Sequence, residues 1–303
     1  MTLNNWHRKT SAGNAYRSDK CHEESKPAWP VDPQASVNKH FESAAPQWER
    51  MYHDVGLKGF IYQDRMAIAL QWIEQLRLPS TAYLLEIGCG AGFATAALAM
   101  QGYRVDALDS TTAMIDLTTK RLAETGAAER VRIVRGDVRH LPMPNNSFDL
   151  VFALGVLPWL DDSVAAVREM ARVTRPGGYV LVTADHYLHL DEILDPARAP
   201  ILRPLRRYLA SALRRAKLLS RPQSPKIQRH SRREFDSILS GAGLDKLWSV
   251  MLGFGPLTLF GKCILSDSLG IKVHRSLQAA ANRHSRIVSF CGMQYLVMST
   301  KRA

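Results

Sequence analysis

The sequence predicts an α/β protein built on a mostly parallel sheet, and three observations point there. Between Tyr83 and Met298, short apolar runs alternate with stretches whose apolar residues recur at helical spacing, the pattern of repeated βα units. The first of those runs ends in a glycine-rich loop that opens a helix rich in Ala and Leu. With 303 residues, 46% of them hydrophobic, the chain is long enough to bury a sizeable core.

The elements follow in order. Residues 1–38 are polar, carry Pro27, Pro30 and Pro33 and lack apolar periodicity, so they read as a flexible tail ahead of a domain over 39–303. From Phe41 to Leu78, apolar positions such as Ile68, Leu70, Trp72, Ile73 and Leu76 predict two or three helices. Strands are predicted at Tyr83–Ile87, Arg104–Leu108, Val131–Val134, Leu150–Leu154 and Tyr179–Thr183, with Leu247–Phe254 and Met293–Met298 available as closing strands. Beyond Leu252, the glycine-rich segment Gly253–Gly261 suits either the wall of a pocket or a turn packed on the sheet.

Composition narrows the function classes. Cys21, Cys89, Cys263 and Cys291 lie far apart with no CxxC pair, so neither a disulfide framework nor a zinc site is readable, and no metal is expected. The first thirty residues hold no apolar run of signal-peptide type, and no stretch approaches the roughly 18–20 apolar residues of a spanning helix, which points to a cytoplasmic protein. The net charge of +12 belongs to one segment: Arg198 to Arg233 contains twelve Lys and Arg and no Asp or Glu, and elsewhere 28 basic residues match 28 acidic ones. Within it Leu202, Leu205, Leu209, Leu213 and Ala216 share one helical face, while Arg203, Arg206, Arg207, Arg214 and Lys217 share the other. Such a helix suits a charged lid, peripheral contact with an anionic membrane, or an acidic carrier protein. Apart from Tyr208 it lacks the interleaved aromatics of a base-stacking surface, which argues against nucleic acid.

The chemistry is concentrated at Leu84–Thr95, where a buried strand runs into Gly88-Cys89-Gly90-Ala91-Gly92 and then a helix. Glycines there permit a tight turn and let a ligand lie against free backbone N–H groups. A dinucleotide fingerprint wants its third glycine at position 93, which is Phe93, so an NAD-dependent oxidoreductase is the weaker alternative. Glu86, an acid at the end of a buried strand, is costly unless it is paired or used.

This segment resembles motif I of the class I S-adenosylmethionine-dependent methyltransferases. The rest follows in that family's order: Asp109, Gly136-Asp137-Val138, Ser147-Phe148-Asp149 before Ala153-Leu154-Gly155, and Glu169–Arg172 before Pro176-Gly177-Gly178. Within the superfamily the pattern is similar to the type 11 branch, which acts on small molecules and lipids. The resemblance implies a Rossmann-like, doubly wound seven-stranded sheet of order 3-2-1-4-5-7-6 with its last strand antiparallel, N-terminal helices, and a substrate-covering lid inserted at about residues 186–240. It implies S-adenosyl-L-methionine as cofactor, held by Gly88, Cys89, Gly90 and Gly92. Asp109 would take the ribose, with Ser110 and Met114 beyond it, although Asp109 also suits a cap for the next helix. Asp137 and Val138 would meet the adenine, Glu86 the methionine end, and Ala153 and Leu154 would floor the methyl-donor pocket. Arg65 suits the methionine carboxylate as a charge-assisted pair, or a solvated helix face. Asp149 and Arg172 are assigned to structure.

Methyl transfer by in-line displacement to a small-molecule or lipid-like acceptor, through oxygen, is the expected activity; a cofactor-binding homologue without turnover is the other alternative. An oxygen acceptor gains from a base. Of His186 and His189, which follow the fifth strand, His186 is the candidate, and His230 is a weaker one.

Overall fold

In the computed structural model, which describes residues 33–202, 204, 208, 211, 227–285 and 288–303, two helices precede the sheet, α1 (Pro33–Met51) and α2 (Leu57–Gln75). Next come β1 (Tyr83–Ile87), α3 (Phe93–Met100), β2 (Arg104–Asp109), α4 (Thr112–Thr125), β3 (Val131–Arg135), β4 (Phe148–Ala153), α5 (Ser163–Val173) and β5 (Thr174–Asp185). The remainder is α6 (Leu190–Leu194), α7 (Arg232–Gly241), β6 (Leu244–Leu252), a hairpin of β7 (Thr258–Leu259) and β8 (Lys262–Cys263), α8 (Asp267–Asn282) and β9 (Gln294–Lys301).

Seven strands form one sheet in the order β3-β2-β1-β4-β5-β9-β6, all parallel except β9, which runs antiparallel to both its neighbours. With β9 counted as the seventh sheet strand, this is the expected Rossmann-like order. Leu84, Leu85, Leu150, Val151, Phe152 and Leu181 have no exposed surface, as continuous apolar runs covered on both faces require. Ile87 of β1 pairs with Leu108 of β2 and Ala153 of β4, so the loops leaving these strands open at one edge. The strand order reverses between β1 and β4, and a crevice forms at such a reversal.

Several boundaries differ from the sequence reading. The helix α1 starts at Pro33, inside the segment assigned to the tail: proline is well placed in a first helical turn, and Gln34 and Val37 are buried. Residues 1–32 of that tail lie outside the described residues. The strand β4 begins two residues earlier than expected. The Pro-Gly-Gly turn lies inside β5 rather than ahead of it, because Thr174 already pairs with Phe148 and the next pair is Tyr179 with Leu150. Arg203, Arg206, Arg207, Arg214 and Lys217, the basic face of the predicted amphipathic helix, lie outside the described residues.

Two side-chain braces fix the frame around the crevice. Asp149 accepts the Tyr83 N–H at 2.7 Å and an Arg175 N–H at 2.7 Å, tying β4 to β1 and β5. Arg172 bonds Glu169 at 2.7 Å and the carbonyls of Met143 and Leu141 at 2.9 and 3.0 Å. A third contact seats α1: the Glu42 carboxylate accepts the N–H groups of Thr112 and Ala113 at 2.7 and 2.9 Å, capping α4 from another element.

Candidate active site

The crevice is a cavity of about 410 Å³. One side is the loop after β1. Gly88 has φ +69, and a Cβ there would stand 2.4 Å from a Val156 methyl, so the chain can turn at this point only with glycine. Gly88, Cys89 and Gly90 line the cavity, while Gly92 does not. Gly92 supports the loop from behind as the N-cap of α3, with φ +74 and a would-be Cβ 3.0 Å from the Thr118 Cα.

Asp109 ends β2 at the cavity wall, 8% exposed. Its Oδ1 accepts the Thr111 N–H and hydroxyl at 3.0 and 2.9 Å, and its Oδ2 accepts the Gly90 N–H at 3.1 Å. It therefore fixes the turn that leads into α4, without capping that helix, and retains a lone pair on Oδ2 for a ligand hydroxyl. Burial pushes its carboxyl upward, against the pull of those donors. Ser110 and Met114 stand beside it on the wall. Asp137 and Val138 also line the cavity, but the Asp137 carboxylate is clamped by Arg139 at 2.6 to 3.1 Å. Despite an opposing burial effect, Arg139 holds its pKa below the usual value. Leu154 reaches the cavity. Ala153 does not, being the last residue of β4 with no exposed surface.

Glu86, 5% exposed, is on the wall and accepts the Thr95 hydroxyl. Burial pushes its carboxyl up to about 8, with Thr95 opposing and the nearby Asp109 charge reinforcing the shift.

Arg65 comes from α2 into the same space and is 5% exposed. Its guanidinium donates to Gln294 Oε1 at 3.2 Å and the Tyr52 hydroxyl at 3.1 Å, and its buried Nε has no partner. A buried cation bonded here only to neutral groups is costly, and a ligand carboxylate would complete it. With the glycine turn and Asp109 opposite, the residues present fit a ligand carrying a carboxylate at one end and a diol at the other, as S-adenosylmethionine does. Trp48, Tyr52 and Tyr62 lie on this wall as well, Tyr52 stacked on Phe93 at 4.7 Å.

His186 is misplaced for the role expected of it. It is buried but does not line the cavity: its N–H bonds the Met293 carbonyl at 2.9 Å and its Nδ1 turns back on the Leu188 N–H at 3.2 Å. Alternation along β5 puts Asp185 on the cavity side instead. Asp185 accepts from Gln294 at 2.8 Å, and burial pushes its carboxyl up while that bond opposes. His230 is held by Ser163 at 3.1 Å and is also off the wall. Among the described residues, the histidine that lines the cavity is His189, joined by Asp191, Arg198 and Arg229.

Gln34, Val37 and Phe41 of α1 also line the cavity, and Trp159 packs on Phe41 at 5.1 Å. Gly255 and Pro256 line the cavity, which settles the glycine-rich segment after β6 as a pocket wall that then folds into the β7–β8 hairpin. Asp195 pins that hairpin, accepting from Thr258, Phe260 and Gly261 at 2.8, 2.9 and 2.8 Å.

Residues 85–182 match the family described as "Methyltransferase domain". A demethylmenaquinone methyltransferase of Lactiplantibacillus plantarum is 34% identical over 148 residues, 47% of this chain and 59% of that protein. A malonyl-[acyl-carrier protein] O-methyltransferase of Serratia marcescens is 37% identical over 112 residues, 37% of this chain and 42% of that protein. The chain thus spans about half the length of these curated relatives. Among solved structures, magnesium protoporphyrin IX methyltransferase of Synechocystis with bound S-adenosylhomocysteine has a TM-score of 0.59 at 14% identity, over 90% of this chain and all of that one. The [4+2]-cyclase SpnF has a TM-score of 0.58 at 16% identity, over 91% of this chain and 98% of that one. These two likenesses are of fold, and the second shows the same architecture carrying a different activity.

Proposed function

We propose, from the premise that this chain carries a class I S-adenosylmethionine-dependent methyltransferase domain, that the whole protein methylates an oxygen of a small-molecule or lipid-like acceptor. The observation that carries this reading is the continuity of the cavity. The glycine turn and Asp109 stand opposite Arg65, and the same space runs on to aromatic side chains and a cluster of ionisable groups between β5 and α6.

When bound, the cofactor supplies a methyl group on a positively charged sulfur. The residues do the rest. Asp109 Oδ2 accepts from the ribose, Arg65 pairs with the methionine carboxylate, and Glu86, ionising as a cation arrives, balances the ammonium. Asp137 and Val138 border the adenine. Aromatic walls exclude water and orient the acceptor, which is the main task in an in-line transfer.

The two curated relatives act, by their names, on a demethylmenaquinone and on a malonyl-[acyl-carrier protein]. Both acceptor types suit this reading, and the basic run from Arg198 to Arg233 suits contact with an anionic membrane surface or an acidic carrier. No helix among the described residues is long and apolar enough to cross a membrane. The test is to incubate the protein with methyl-labelled S-adenosylmethionine and extract of its own host, then partition the label. Label in the organic phase supports a lipid-like acceptor. Label on an acidic protein supports carrier-bound substrate, and no transfer under any condition would remove the reading.

A further inference from the structure

On the cavity wall, Arg65 Nε, His189 Nε2 and Asp191 Oδ1 are buried without a hydrogen-bond partner. Buried polar atoms are normally satisfied, so orphans collected on one cavity indicate what its ligands bring. Arg65 is accounted for by a carboxylate. His189 and Asp191, each 5% exposed, stand together near the ends of β5 and α6 and need a different partner.

We propose that His189, with Asp191 beside it, is the acceptor subsite, binding a hydroxyl on a planar apolar body and taking its proton; this deepens the oxygen-methylation reading and rests on it. The Nδ1 of His189 lies 3.9 Å from Asp191 Oδ1. An Nδ1 proton facing that carboxylate leaves the lone pair of the neutral ring on Nε2. A hydroxyl is the donor this nitrogen lacks. The charged and titratable groups that act on the ring are Asp191, Glu192, Arg229 and His186, and Arg198 holds Asp191 Oδ2 at 2.7 Å. Burial, then Arg229, pushes the ring down to about 4, with Glu192 opposing, so the lone pair is available at neutral pH. Trp48, Tyr62 and Trp159, also on the wall, suit a flat apolar body.

The step balances. The acceptor O–H bond breaks, the proton goes to Nε2, and oxygen keeps the electron pair that becomes the new C–O bond as the S–CH3 bond breaks. The positive charge lost from sulfur reappears on the imidazolium, where Asp191 stabilises it.

The probe is phenol, with anisole as the control that lacks the O–H. Ring nitrogens of histidine-labelled protein saturated with S-adenosylhomocysteine are followed by NMR during titration. Phenol is expected to shift His189 Nε2 and to bind about tenfold more tightly than anisole; in His189→Leu that preference disappears. Equal binding of the two, or an unmoved Nε2 signal, overturns the subsite. In the label-transfer assay, His189→Gln is expected to lose roughly 100-fold or more in rate with a changed pH profile. O-methylated product at an unchanged rate and pH profile would overturn His189 alone. Product methylated only on nitrogen or carbon would overturn the oxygen reading, while the ring signal would still report whether the subsite binds a hydroxyl.

Discussion

The two halves of the cavity are built by different means. The side facing the glycine turn comes from the ends of β1, β2 and β4 with their following loops, and its residues lie in short contiguous motifs. The far side is gathered from α1 with α2, the end of β5 with α6, the segment after β6 and the start of β9, four stretches well separated in sequence. The near half is shaped by backbone: Gly88 at φ +69, and Asp109 held by the N–H groups of Gly90 and Thr111. The far half is shaped by side chains, with Arg198 holding Asp191 and Asp195 pinning the β7–β8 hairpin. Backbone geometry suits a cofactor shared across many enzymes, and side chains suit an acceptor that differs between them.

The comparison breaks first at Arg65. Arg65→Met removes a buried cation that bonds no carboxylate in the protein itself. S-adenosylhomocysteine affinity should fall by about 2–5 kcal/mol, the cost of truncating a buried charge pair, while the melting temperature of the ligand-free protein holds or rises. A parallel loss of both in calorimetry would make Arg65 a structural brace.

Glu86 gives a pH signature of the near half. Its carboxyl is raised from 4.5 to about 8 in the fold, so the folded protein keeps a proton that the unfolded chain releases. Stability from this group is full below about 4.5 and is lost as pH rises through about 8, roughly a few kcal/mol in all. Denaturant melts of Glu86→Gln should lack that slope. For the same reason the unmodified protein should release a proton on binding a cationic ligand at pH 7, which calorimetry in buffers of different ionisation heat detects.

The smallest effect sharpens the far half. Asp195→Ala strands the hairpin donors of Thr258, Phe260 and Gly261. Since Gly255 and Pro256 line the cavity just before the hairpin, acceptor KM should rise several-fold with cofactor affinity unchanged. An unchanged KM would detach the hairpin from acceptor binding.

Legibility followed the same division. The seven sheet strands and the glycine turn were readable because buried parallel strands write continuous apolar runs and tight turns demand glycine, while the strand order and the cofactor came from the family resemblance. Ala153 and Gly92 were misassigned only in reach, one lying inside the sheet and the other behind the loop. On the far side the chemistry depends on which way side chains point once β5 ends, and sequence alone did not separate His186 from His189. Asp185 could have been found from alternation along the strand. Gln34, Val37 and Phe41 share helical spacing that extends α1 into the supposed tail, a signal hidden by three prolines.

The central claim, one cavity with a cofactor half and an acceptor half, is tested most directly by titrating S-adenosylhomocysteine into the unmodified protein, Asp109→Ala and His189→Leu. The account predicts binding to the unmodified protein, a loss of about 1.5–3 kcal/mol per stranded bond in Asp109→Ala, and unchanged affinity in His189→Leu. Equal affinity for Asp109→Ala and the unmodified protein, or a matching loss in His189→Leu, would contradict it.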